Sequence, residues 1–145
     1  MAGALITVLP TRQLNFSGMQ DNAVISFVLG RPIDVSAWST VALLVRVYDL
    51  NSMGGTVEID LQAASVSSDD PGLFFFVSTP IASVMLSSLN EPGYNPYPYV
   101  TVANATQPFG SHVRVVVKAT SHSLDDVFLC SLGIQLCVKN GSNSA

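Results

Sequence analysis

The chain has 145 residues, of which 48% are hydrophobic and 11% are charged, and its formal net charge is −4. Its length is enough for one domain to fold without disulfides or metals. Soluble domains usually carry about 25% charged residues, so this composition leaves apolar surface that a membrane or other subunits must cover. No run approaches the roughly 20 consecutive apolar residues of a membrane span, so we expect burial between subunits and no membrane insertion. The negative charge argues against a nucleic-acid partner.

The N-terminal part of the chain contains four short apolar segments that we predict to be strands. They are Ala4–Leu9, Leu14–Phe16, Ala23–Leu29 and Ile33–Val35. The first is too short for the core of a signal peptide and follows no basic residue, so we expect no signal peptide. An N-terminal arm over residues 1–10 is an alternative interpretation of this first segment.

The two strongest strand patterns come next. One face of Thr40–Asp49 carries Val41, Leu43, Val45 and Val47. Arg46 and Tyr48 fall on its other face. One face of Thr56–Ala63 carries Val57, Ile59 and Leu61, and its other face carries Thr56, Glu58, Asp60 and Gln62. Because successive side chains of a strand point to opposite faces, each pattern predicts one buried face and one solvated face.

The rest of the chain continues in the same way. Further predicted strands are Leu73–Val77, Ala82–Leu86, Tyr97–Ala103, His112–Thr120 and Val127–Lys139. Clusters of Gly, Pro, Asn and Asp between them are typical of turns, and no helical periodicity persists. We therefore predict an all-β fold, an antiparallel two-sheet sandwich of jelly-roll type. It would form a single domain over residues 1–145, with a frayed tail at 141–145.

The two cysteines are predicted to be free. In a single strand over Val127–Lys139, Cys130 and Cys137 lie on opposite faces and roughly 23 Å apart, beyond disulfide reach. A hairpin turning around Leu132–Gly133 is the alternative, although it lacks the usual turn residues. Free thiols fit assembly in a reducing interior.

Residues with catalytic or metal-binding chemistry are isolated along the chain. His122 and Asp125 could join a serine in a catalytic set, but no Gly-x-Ser-x-Gly motif presents a nucleophile. Neither cysteine has a nearby histidine at zinc-ligand spacing. We expect His112 and His122 to lie on the surface, and we expect no enzyme and no cofactor.

Several carboxylates are candidates for other chemistry. Acidic residues of loops that could bind Ca²⁺ are Asp69, Asp70, Asp125 and Asp126. Asp49, together with Asn51, is a further candidate at the end of a strand. None has the alternating ligand spacing of a calcium loop, so we predict no metal and keep calcium as an alternative. Glu58 and Asp60 share one strand face, without the cleft that a pair of glycosidase carboxyl groups requires.

An aromatic loop is the most distinctive surface feature. Tyr94, Tyr97 and Tyr99 alternate with prolines, and Phe109 follows. Rigid tyrosines can anchor in the pocket of a partner protein, stack on a sugar ring, or cap the end of the sandwich. These four aromatic residues are the candidate contact residues, and the three interpretations stay open.

Three segments support a resemblance to a known family. They are Asp34–Tyr48 (DVSAWSTVALLVRVY), Gly55–Leu61 (GTVEIDL) and Gly110–Lys118 (GSHVRVVVK). Their order resembles that of small jelly-roll decoration and auxiliary head proteins of tailed phages and related gene-transfer particles, over about residues 33–139.

The resemblance implies a structural virion protein that is not an enzyme. Such a protein assembles in the host cytoplasm as a homo-oligomer, often a trimer, and binds the major capsid protein or another virion subunit. Carbohydrate-binding jelly rolls share much the same pattern. The alternative is therefore a non-catalytic carbohydrate-binding β-sandwich module with a glycan partner.

Overall fold

The structure is a computed structural model, and it describes residues 3–16, 23–51, 56–66, 74–77, 79–86, 98–106, 109–121 and 129–140. These ranges contain β1 (Gly3–Asn15), β2 (Val24–Asp34), β3 (Thr40–Asn51), β4 (Thr56–Val66), β5 (Phe74–Phe76), β6 (Ala82–Leu86), β7 (Tyr99–Asn104), β8 (His112–Thr120) and β9 (Leu129–Lys139). No helix in the described part of the chain is long and apolar enough to cross a membrane.

The strands pair as one long antiparallel hairpin that is rolled up. Strand β1 pairs with β9, β2 with β8, β3 with β7, and β4 with both β5 and β6. Rolling brings β9 beside β3 and β8 beside β4. Sheet A therefore has the order β1-β9-β3-β7, and sheet B has the order β2-β8-β4 with β5 and β6 along the far side of β4. This winding is that of a jelly roll and confirms the predicted fold class.

The core lies between the inner faces of the two sheets. The predicted inner sets of β3 and β4 are almost fully buried, with Val45 and Ile59 both 0% exposed. Strand β8 alternates strictly between buried and half-buried residues. Strand β9 contributes the inner set Cys130, Leu132, Ile134, Leu136 and Val138. The period-two pattern thus correctly identified the residues that the sandwich buries.

Strand β1 is longer than its sequence pattern suggested. The segments predicted as Ala4–Leu9 and Leu14–Phe16 belong to one edge strand, and residues 3–10, considered as an arm, pair with β9. The register shifts between Thr7 and Leu9 and again between Leu9 and Arg12. Pro10 lies in this irregular stretch, where an edge strand can accommodate a residue that lacks an N–H donor.

Strand β2 likewise joins two predicted segments, Ala23–Leu29 and Ile33–Val35. Its register against β8 shifts between Leu29 and Ile33. Gly30 has a φ of 67° there, a left-handed conformation that glycine adopts without steric cost. The sequence Gly30-Arg31-Pro32 separates the two predicted segments. It forms a bulge, and the strand continues beyond it.

Strand β9 is continuous, so the alternative hairpin around Leu132–Gly133 is wrong. Cys130 lies in the core, Cys137 is half-buried on the outer face of sheet A, and both thiols are free. Burial raises the pKa of the Cys130 thiol to about 12, with a further contribution from the charge of Asp49. Cys130 therefore behaves as a small core hydrophobe.

The inner and outer positions should respond differently to the same substitution. Val45→Asp places an unpaired carboxylate among apolar side chains and should lower the free energy of unfolding by about 4 kcal/mol or more. Val24→Asp is the matched control, since Val24 is 56% exposed on an edge strand, and its effect should stay within about 1 kcal/mol. Urea unfolding of both variants measures the difference. Similar losses in the two variants would contradict the assignment of the β3 faces.

Candidate functional site

Two of the four candidate aromatic residues, Tyr99 and Phe109, lie in the part of the chain that the structure describes. Tyr99 begins β7 opposite Val47, on the inner side of sheet A, and it is half-buried against the core. Phe109 is also half-buried against the core, just before β8. Tyr94 and Tyr97 lie outside the described residues. Tyr99 and Phe109 thus help to close the sandwich, and each also lines a surface cavity described below.

The outer face of sheet A is built from three cross-strand rows. The first row is Leu5, Cys137, Ala42 and Asn104; the second is Thr7, Gln135, Leu44 and Val102; the third is Gly133, Arg46 and Val100. Arg46 is the only charged member of these rows. Leu5, Val100 and Val102 are each more than half exposed. The rows form a mostly apolar surface with Arg46 at one end, and Lys139, which pairs with Gly3 and Thr40 and also lines the groove described next, lies beyond the other end.

An apolar groove of about 560 Å³ lies beside the first two rows. Its lining includes Ala42, Leu44, Val102, Ala105, Phe109 and Cys137. Ala105 donates its backbone N–H to the carbonyl of Val41 at 3.0 Å, and Thr106 donates to the carbonyl of Ile81 at 2.8 Å. These hydrogen bonds hold the chain after β7 against both sheets, so the groove has a fixed wall.

Arg46 is less exposed than its position on the polar side of β3 suggested. Its side chain is half-buried, and its Nε atom is buried without a hydrogen-bond partner. The expectation of a fully solvated arginine was wrong because Arg46 lies in the middle of sheet A, between Gly133 and Val100. This position buries the Nε atom, while the side chain as a whole stays partly exposed.

The outer face of sheet B has a different character, because its described charges have partners. Lys118 Nζ lies 4.0 Å from Glu58 Oε2, and Ser83 Oγ donates to Asp60 Oδ1 at 2.7 Å. Arg114 Nε donates to Gln62 Oε1 at 2.8 Å, and its guanidinium carbon lies 3.9 Å from the centre of the Phe76 ring. Exposed Val24, Val28 and Met85 are interspersed with these polar pairs. The charged residues of β4 and β8 on this face therefore have partners within the protein.

The residues considered for metal binding and catalysis are not brought together in the described part of the chain. Within it, no group of three or more His, Cys, Asp or Glu residues could hold a metal ion. Asp49 is exposed, and His112 Nδ1 lies 2.7 Å from Ser111 Oγ at the start of β8. His122 and the acids at positions 69, 70, 125 and 126 lie outside the described residues.

Glu58 and Asp60 form a carboxyl pair on the outer face of β4. Asp60 is only 5% exposed. A hydrogen bond to Asp60, burial and the negative charge of Asp60 together raise the pKa of Glu58, against an opposing effect of Lys118. The two carboxyl groups therefore influence each other's protonation on the outer face of β4, beside Lys118 and Ser83.

Sequence reasoning missed the outer face of sheet A as a candidate site. Its signals were present in the continuous apolar run Val41–Val45 and in Val100 and Val102, which alternate with the inner residues of β7. The cross-strand register is needed to see that these residues join Leu5 and Cys137 in one surface. No family model, curated protein or solved structure matches the chain.

The carboxyl pair gives a prediction on pH. Because the pKa of Glu58 is raised above its ordinary 4.5, its protonated form stabilises the fold. That contribution is complete below pH 4.5 and is lost as the pH rises through the raised pKa. Glu58→Gln keeps a donor for Asp60 without a charge, so the variant should match the wild type at pH 4 and be more stable at pH 7. Denaturant unfolding at both pH values measures this, and an equal difference at the two would contradict it.

Proposed function

We propose that this protein is a structural virion subunit without enzymatic activity, a capsid decoration or auxiliary head protein. It assembles with copies of itself, as a trimer, and binds the major capsid protein of a shell. The outer face of sheet A and the adjacent apolar groove are the contact surface. The observation that carries the proposal is the mostly apolar set of rows containing Leu5, Leu44, Val100 and Val102.

The composition and the surface support each other in this proposal. Only 11% of the residues are charged, and those on the outer face of β4 and β8 are paired within the chain. Sheet A exposes Leu5 by 52%, Val100 by 55% and Val102 by 53% on a face with an apolar groove, whereas the exposed Val24, Val28 and Met85 of sheet B lie among the paired charges. Clustered apolar side chains on one sheet face are typical of protein interfaces, whereas single exposed hydrophobes are not informative.

The size of the protein is compatible with such an interface. A stable interface of standard size takes about 800 Å² from each partner. That is roughly a tenth of the 7819 Å² of accessible surface of this chain.

The resemblance of residues 33–139 to jelly-roll head proteins supports the particle as the place of assembly. The apolar outer face of sheet A supports the mode of attachment, in which this face is buried against other subunits. The virion location, the capsid partner and the trimer are all what this resemblance implies.

Self-association gives the first test. The wild-type chain should sediment at high micromolar concentration as a species of three times 15.3 kDa. Val102→Asp should weaken this association by about thirtyfold or more, because a carboxylate would be desolvated in the contact. Val28→Asp is the matched control, since Val28 is 43% exposed on the outer face of sheet B, and it should associate normally.

Two results would contradict this part of the proposal. A monodisperse wild-type monomer at high micromolar concentration would remove the self-association. Disruption by Val28→Asp with normal behaviour of Val102→Asp would move the contact to sheet B. The capsid partner is tested separately by gene neighbourhood, where genes for a major capsid protein or a portal should flank this gene.

A further inference from the structure

Two cavities meet at Arg46 and Tyr48, at the end of the sheet A outer face away from the apolar groove. The larger, of about 330 Å³, is also lined by Thr7, Thr11, Gly133 and Gln135. The smaller, of about 140 Å³, is also lined by Pro98, Tyr99 and Val100. Together they form one depression across the strands of sheet A, which we call the Arg46 groove.

The larger cavity exists because of Gly133 and the irregular stretch of β1. Gly133 lies directly opposite Arg46 and, because it has no side chain, lets Leu9 and Thr11 of β1 approach its backbone closely. A Cβ atom at position 133 would lie 2.9 Å from Thr11 Oγ1, closer than such contacts allow. The register shifts of β1 bring Thr11 over this glycine. The cavity is therefore a built feature of the β1 and β9 backbones.

The Arg46 groove contains one buried donor and one buried acceptor without partners. Arg46 Nε and Gln135 Oε1 are both inaccessible to solvent and make no hydrogen bond within the described chain. Gln135 uses its other polar atom, since Nε2 contacts Thr7 Oγ1 at 3.5 Å. Buried polar groups almost always have partners, so these two atoms have hydrogen-bonding capacity that the chain leaves unused.

Arg114 shows how the same residue type is accommodated on the opposite face. Its Nε donates to Gln62 Oε1, and its guanidinium stacks on Phe76. In both sheets an arginine lies near a glutamine of a neighbouring strand, but only on sheet B do the two groups bond. The difference leaves Arg46 and Gln135 with capacity for an external ligand.

We propose that the Arg46 groove binds a hydroxy-carboxylate, namely the uronic acid unit of an acidic saccharide. On binding, the side chains of Arg46 and Gln135 turn toward the cavity, so that the carboxylate accepts from Arg46 and neutralises its charge, and a ring hydroxyl donates to Gln135 Oε1. Thr7 and Thr11 offer further hydroxyl contacts, and Tyr48, which is 40% exposed, offers an aromatic surface for the sugar ring. This site lies at one end of the face proposed for assembly and shares Val100 with it, but the proposal does not depend on the assembly.

Simpler ligands satisfy only part of the groove. An aspartate or glutamate side chain supplies the anion but carries no donor for Gln135. A neutral sugar supplies hydroxyl groups but leaves the charge of Arg46 uncompensated. A hydroxy-carboxylate is the smallest class that supplies the anion and the donor together.

The test uses the full-length protein labelled with ¹⁵N and follows the Nε–Hε signals of its arginines by NMR. Titration with D-glucuronate should shift the signal of Arg46 and leave that of Arg114 unchanged, which makes Arg114 the internal control. Glutarate, which has carboxylates and no hydroxyls, and methyl glucoside, which has hydroxyls and no charge, should each bind at least about tenfold more weakly.

Two variants test the residue roles. Arg46→Lys keeps the charge and removes the Nε donor and the planar fork, so it should weaken glucuronate binding by about tenfold or more, while Arg114→Lys should have no effect. Gln135→Glu places a carboxylate beside Arg46 and should abolish binding by satisfying Arg46 within the protein. Thermal melting of each variant checks that it is folded.

The outcomes separate the possible ligands and the two proposals. An unshifted Arg46 signal with D-glucuronate, or unchanged binding in Arg46→Lys, would overturn the site. Equal binding of glutarate or of methyl glucoside would overturn the hydroxy-carboxylate class. Val102→Asp leaves the residues of the Arg46 groove unchanged and frees the face from self-association, so it should bind glucuronate at least as well as the wild type, and failure of the assembly proposal leaves this result intact.

Discussion

The pairing of β9 with β3 is the contact on which the rest of the structure depends. Strand β9 is hydrogen-bonded to β1 on one side and to β3 on the other, so its register determines which face each residue of sheet A occupies. A slip of one residue would move Leu43, Val45 and Ile134 from the core to the outer face. Their complete burial opposes such a slip, since each aliphatic side chain contributes about 1.5–3 kcal/mol when it is fully buried.

The register within each sheet also makes the two outer faces of the sandwich unlike. On sheet B it places Lys118 opposite Glu58 and Arg114 opposite Gln62, so polar groups meet partners across the strands. On sheet A it places apolar residues opposite one another and sets Arg46 between a glycine and a valine. The charged residues of β4 and β8 are paired within the monomer, whereas sheet A combines its apolar area with polar atoms that have no partner in the described chain. This asymmetry is the physical basis for assigning both proposed contacts to sheet A.

The period-two pattern was sufficient to predict the fold class and the inner residues of β3, β4 and β9. It could not predict that β1 continues past Pro10 or that β2 continues past Gly30, because the neighbouring strand decides whether such residues end a strand or form a bulge. The burial of Arg46 was missed for a related reason. Whether an outward-pointing residue is solvated depends on its neighbours in the sheet, and these are distant in the sequence.

The candidate site was harder to predict than the fold. Aromatic residues near prolines drew attention to Tyr99 and Phe109, yet both are half-buried against the core and contribute to cavity walls. The apolar outer face consists of ordinary strand residues from β1, β3, β7 and β9, none of which is distinctive alone. Only their register places them side by side as one surface with a groove at each end.

The central claim is that the outer face of sheet A is covered when the protein assembles, and Cys137 reports on it directly. Cys137 lies in the first row of that face and lines the apolar groove, while Cys130 is buried in the core and serves as an unreactive internal reference. The measurement is the rate of alkylation of each cysteine by iodoacetamide at low and at high protein concentration. The rate at Cys137 should fall as the protein associates. A rate at Cys137 that stays constant while sedimentation shows the oligomer would contradict the account, because the subunits would then associate through another surface.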